Sequence, residues 1–133
     1  MITIGSSKFR EKLNAKVDEE ADKARLLVVG DVGRIEEYRR AYEQAITYRA
    51  VGYTGTPGDC IMADADSKRR TPQEAADSII EMGDNWYMAL DAIRRARLTA
   101  KEDIERAAAA PAAQQVYTAF EDTLRLILST IIQ

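Results

Sequence analysis

Three aspartates, Asp59, Asp64 and Asp66, fall within one short segment and are the nearest this sequence comes to a metal-ligating or catalytic constellation. Asp64-Ala65-Asp66 opens like a calcium-binding loop, in which oxygen ligands recur at alternate positions along twelve residues. The continuation does not match. The position that needs glycine holds Arg69, the fifth ligand position holds Lys68, and Ala75 stands where a bidentate glutamate is required. The segment reads as a solvated acidic loop leading to a helix start, and no metal ligand is assigned. A hydrolase using Asp64 and Asp66 with a metal is the enzyme reading that competes with this one.

Cys60 is the only cysteine, and histidine is absent. With no imidazole to raise its thiolate fraction, and with Ile61 and Met62 beside it, Cys60 reads as a small apolar residue touching the core. The lack of histidine also removes the usual acid/base near neutral pH and the commonest zinc ligand. The glycines of Gly52-Tyr53-Thr54-Gly55-Thr56-Pro57-Gly58 are not followed by the Gly-Lys-Ser/Thr of a phosphate loop, so turn chemistry accounts for them. The basic clusters Lys68-Arg69-Arg70 and Arg94-Arg95 with Arg97 are short. Glu102 and Asp103 stand near the second to neutralise it, and 19 basic residues are mixed among 22 acidic ones for a net charge of -3. A nucleic-acid partner needs a basic face that displaces counterions from phosphate, so none is expected. The reading is a protein without catalytic residues or cofactor, which is not an enzyme.

The elements on either side of this acidic segment read as helical. Phe9, Leu13, Val17, Ala21, Ala24 and Leu27 recur at three- and four-residue intervals and predict an amphipathic helix over 8–29. Gly30-Asp31-Val32-Gly33 interrupts it, and Asp31 is placed to cap a second helix. That helical stretch, from Arg34 to about Ala50, carries Ile35, Tyr38, Tyr42, Ala45 and Tyr48 on one stripe. The pattern leaves open whether the two join as one kinked rod or fold back as a hairpin. Residues 51–70 read as a long loop of the sort that tends to be functional or mobile. Thr71, Pro72 and Glu74 then spell a capping box with proline at the first helical position. The helix they start carries the longest stripe: Ile79, Met82, Trp86, Leu90, Ile93, Ala96, Ala100, Ile104 and Ala107. From Pro72 to about Ala109 it would reach about 55 Å, more than a small core needs. Pro111 breaks the alanine run, and a last helix over 112–132 presents Val116, Phe120, Leu124, Ile127 and Ile131, with Leu126, Leu128 and Ile132 off the stripe.

The expected fold is all-α, a bundle or hairpin of three to four helices with one long central helix and a long loop at about 51–70. It forms a single helical domain over 1–133: an N-terminal helical segment 1–50, the loop 51–70, the long helix 71–110 and the C-terminal helix 112–132. At 133 residues one core is buried and not two. No stretch approaches the roughly 20 apolar residues of a membrane span. Met1 to Lys8 does not read as a secretory signal, so the chain is expected to fold in reducing cytosol. The surplus apolar helix surface marks interface candidates: Trp86 as anchor, with Leu90, Ile93, Phe120, Leu124, Ile127 and Ile131.

Three stretches carry a family resemblance: Lys8-Phe9-Arg10 through Asp18-Glu19-Glu20-Ala21-Asp22-Lys23-Ala24-Arg25, the glycine break leading to Tyr38 and Glu43-Gln44-Ala45, and Trp86 through Ala92-Ile93-Arg94-Arg95-Ala96-Arg97 to Lys101 and Ile104. With these the chain resembles small helical proteins of tailed bacteriophages encoded near tail and tail-fibre genes. Pro111 to Gln133 adds an apolar helix beyond the short tail of that group. The resemblance implies a structural role in the virion tail, as a baseplate, fibre-attachment or coiled-coil component assembled in the host cytoplasm. Its partners would be itself, as a homo-oligomer, and other phage tail or fibre proteins. The alternative within the same setting is a tail-fibre assembly chaperone that is not retained in the particle.

Overall fold

The fold comes from a computed structural model that describes residues 4–131 and, within them, every side chain except those of 4–7 and Val32. The regular elements among the described residues are all helices: α1 (Ile4–Val29), α2 (Val32–Ala50), α3 (Asp59–Lys68), α4 (Pro72–Arg106) and α5 (Ala110–Ser129). The all-α reading holds, but three to four helices become five. The segment expected to be a loop over 51–70 contains α3, which leaves 51–58 as the loop before it. The expectations placed on Met1, Ile2, Thr3 and Ile132 fall outside the described residues. The chain divides into two units, Met1–Val28 with Met88–Gln133, and Val29–Tyr87.

In the first unit the buried side chains follow the three-four spacing that drives helix pairing. Leu13, Val17, Ala21, Ala24 and Val28 line α1, Ala89, Ile93, Ala100 and Ile104 line α4, and Ala113, Tyr117, Phe120 and Leu124 line α5. The seam of α1 ends on Val28, and the expected Leu27 is 60% exposed, because one helical step of 100° carries it off the buried stripe. Polar links then register α1 on α4. Asp18 accepts from Lys101 Nζ at 2.9 Å and faces Arg97 Nη1 at 3.5 Å. Arg10 donates to the Ala107 carbonyl at 2.7 Å, and Asn14 donates to Glu105 at 2.8 Å. Arg97 is therefore neutralised by Asp18 on α1, while Glu102, expected to serve it, pairs with Arg106 instead. The break between α4 and α5 falls at 107–109, and Pro111 lies inside the first turn of α5, where its missing N–H costs no helical bond.

The second unit has a smaller core with an aromatic frame. Ala45 from α2, Ile61 and Ala65 from α3, and Ala75, Ala76 and Ile80 from α4 are buried together, with Tyr42, Tyr48, Tyr53 and Ile79 around them. The alanines let the helices approach closely enough for the tyrosine rings to close the edges. Tyr42 donates to Asp84 at 2.6 Å, and Tyr53 donates to Asp77. Asp31 caps α2 by accepting from the Arg34 N–H at 2.8 Å, as the sequence predicts. At its far end the Tyr53 N–H returns to the Tyr48 carbonyl and the Gly52 N–H to that of Arg49, with Gly52 at φ 69°, a left-handed close that glycine adopts without strain. The expected capping box starts α4: Glu74 N–H donates to Thr71 Oγ1 at 3.1 Å, and Thr71 N–H donates to Glu74 at 3.0 Å.

Candidate protein-interaction surface

A concave groove of about 840 Å³ lies in the first unit, between α4 and α5. Its α4 wall runs from Met88 to Asp103. Ala92, Ala96 and Ala100 stand four apart along it, so every turn presents only a methyl group and the backbone lies close to the surface. The α5 wall supplies Val116, Phe120 and Ile127 from its apolar row and Gln115, Ala119 and Thr123 from the next. Above the alanines runs a second row, Asp91, Arg95, Thr99 and Asp103. None of its three charged members makes an ion pair among the described residues, so each keeps its charge for water or an incoming group. Met88, at 71% exposure, stands at one end. Apolar grooves are one kind of surface into which proteins receive the apolar face of an amphipathic helix.

The interface candidates read from the sequence divide. Ile93, Phe120 and Leu124 are buried within the chain and serve its own core, which corrects their reading as surface for a partner; Phe120 reaches the groove only as part of its wall. Ile127 is half-buried and lines the groove, and Leu90 and Ile131 are half-buried. Trp86 belongs to the second unit, half-buried with its ring 4.1 Å from that of Tyr38. The most exposed apolar side chains are others: Met88, Leu27 and Leu126, the last at 70%. The signal for Leu126 is in the sequence, since it lies off the stripe of the last helix, but periodicity says only that it is off the seam and not whether another element covers it.

Asp59, Asp64 and Asp66 do not converge. Asp64 lies on α3, where Arg70 Nε and Nη2 donate to its Oδ2 at 3.0 and 2.6 Å and Lys68 Nζ reaches its Oδ1 at 3.1 Å. Burial pushes this carboxyl upward, but the Arg70 and Lys68 partners outweigh it and hold it below the usual carboxylate range. Both oxygens are thus occupied by cations of the chain itself. No group of three or more metal-ligating side chains forms among the described residues. Cys60 is half-buried in the first turn of α3, and its backbone N–H donates to Gln44 Oε1. No helix among the described residues is long and apolar enough to cross a membrane. Comparison with family models, with curated proteins and with solved structures gives no match.

Proposed function

We propose that this chain is a structural assembly protein that acts by helix-to-helix contact and carries no chemistry of its own. In the setting implied by its resemblance, it is an accessory of a phage tail or baseplate that attaches a fibre, oligomerises, binds other tail proteins and stays in the virion after assembly in the host cytoplasm. The observation that carries this reading is the groove between α4 and α5, whose alanine floor and unpaired charged edge suit a helix from another chain. Met88 at its end and the exposed Leu126 on α5 add apolar surface of the kind found at such contacts. Symmetric self-association is the economical way to cover it.

Light scattering on the eluted protein, with and without candidate tail proteins, tests the reading. The expected result is a defined oligomer or a stable hetero-complex that Ala96→Glu disrupts without lowering the melting temperature. A monomer at micromolar concentration that binds no tail protein overturns it. Exposed Met82 and Met88 favour the second reading, an assembly chaperone, because flexible thioethers adapt to changing clients. Mass spectrometry of purified virions separates the two, since a chaperone is missing from the finished particle.

A further inference from the structure

The second unit contains a cavity of about 210 Å³ that owes nothing to the groove and that the assembly role does not use. It lies among α2, α3 and α4, and its lining has two characters. Tyr38 and Trp86, whose rings meet at 4.1 Å with a 59° tilt, form an aromatic wall that Ile79 and Met82 extend. Asp64, Lys68 and Arg70 form the charged part. The single carboxylate there is shared by two cations, so the lining carries one positive charge in excess, and no other acidic side chain contributes to it. The Arg70 side chain is only 24% exposed and donates to Asp64 through Nε and Nη2, which leaves the rest of its guanidinium edge for another acceptor.

We infer that this cavity binds a compact monoanion bearing one aromatic ring, its ring against Tyr38 and Trp86 and its carboxylate on Lys68 and Arg70. Size sets the first limit: drug-sized sites run from about 300 to 1,000 Å³, so this one admits a fragment of roughly one substituted ring. Charge sets the second. A cation finds Asp64 already saturated, whereas an anion meets a guanidinium that binds carboxylates through planar, charge-assisted hydrogen bonds. The aromatic wall accepts a flat apolar body in offset or edge-to-face contact, which a purely aliphatic ligand uses less well. The same aryl-carboxylate unit is presented by a free small acid or by a polypeptide that ends in an aromatic residue.

Trp86 is the sole tryptophan, so its fluorescence reports the cavity directly. The full-length protein is titrated with 3-phenylpropionate, with N-acetylphenylalanine as the mimic of a chain end, and with 3-phenylpropanamide as the uncharged control. Saturable change is expected with the carboxylates in the millimolar range or below, and at least tenfold weaker with the amide. Ala41→Leu, which fills the cavity, should abolish binding, and Lys68→Ala, at an exposed position, should weaken it severalfold; circular dichroism checks that each variant keeps its fold. Tighter binding of N-acetylphenylalanine assigns the chain-end source, and tighter binding of 3-phenylpropionate the free acid. The inference is overturned by the absence of saturation with both carboxylates, by equal binding of the amide, or by a folded Lys68→Ala that binds like the original chain.

Discussion

The two units solve the same problem of helix packing with different materials. In the first, Leu13, Val17, Ile93, Ile104, Phe120 and Leu124 bury branched or aromatic carbon, and the polar links, Asp18 to Lys101 and Arg10 to the Ala107 carbonyl, lie beside that core. In the second, alanines bring the helices together, and tyrosines, each with a hydroxyl that seeks an acceptor, close the margins through Asp84 and Asp77. Branched aliphatic side chains can interdigitate into a dense interior, while Leu26, Leu27, Leu98 and Leu126 of this first unit stay exposed outside the groove. The small cavity of the second unit lies beside the paired rings of Trp86 and Tyr38, and the anchored Tyr42 and Tyr53 are not among its lining residues. The two units thus offer different concavities: an open groove along α4 and α5 in one, and a compact pocket among α2, α3 and α4 in the other.

This contrast can be broken most directly at Ile93, which is fully buried in the first unit. Ile93→Ala should cost about 2–5 kcal/mol, through lost transfer energy and the space left behind, and denaturant unfolding measures it. A cost below about 1 kcal/mol would mean that this core is not the dense one. Overpacking probes the second unit. A Cβ on Gly83 would lie 2.3 Å from Tyr42 Cδ2, so Gly83→Ala must push the ring and should destabilise by about 1–3 kcal/mol despite the higher helix propensity of alanine. A stabilised Gly83→Ala would show the tyrosine frame to be loose. Thr71→Ala, which removes one arm of the capping box, should cost about 1 kcal/mol and leave the groove of the first unit unaffected.

The smallest effects come from carboxylates that each unit holds below their ordinary pKa. The Lys101 hydrogen bond lowers that of Asp18 most, against a burial contribution that raises it, with Arg97 adding to the lowering. Because the folded pKa is depressed, Asp18 contributes stability that is fully present above its unfolded pKa of about 3.9 and is lost as pH falls through the lower folded value. Its side chain is 41% exposed, so screening limits the pair to under about 1 kcal/mol. Asp64 behaves with the same sign but at 16% exposure. Urea unfolding between pH 2 and 7 should therefore show a weaker acid dependence in both Asp18→Asn and Asp64→Asn, with the larger change for Asp64→Asn. Equal changes would remove this difference between the units.

Much of the helical framework was readable from local chemistry. The capping box of Thr71 and Glu74 and the Asp31 cap are complete within four residues of sequence, so no distant group was needed to see them. α3 was not readable in this way. Its N-cap is Gly58, which offers no side chain, and the N–H of Cys60 is satisfied by Gln44 from α2, sixteen residues earlier. Asp64 and Asp66 looked like a solvated loop because Arg70, the partner that neutralises Asp64, comes into reach only after Arg69 turns left-handed at φ 54°. The candidate surface was legible only in part: Ile127 lies on the groove as a seam residue of the last helix, but Ile93, Phe120 and Leu124 share the same periodicity and are consumed by the core.

The sequence by itself determined that the chain is helical and where most of its helices start and stop, because caps, glycine breaks and apolar spacing act over a few residues through local backbone hydrogen bonds. It also determined which residue types were on hand: no histidine, one cysteine, one tryptophan. Only the tertiary structure decided which apolar residues are spent inside and which remain outside, since a stripe marks a face but not its neighbour. The same holds for charge. Asp18 and Asp64 became paired, and Asp91, Arg95 and Asp103 became the edge of a groove, through helix placements that spacing along the chain does not encode.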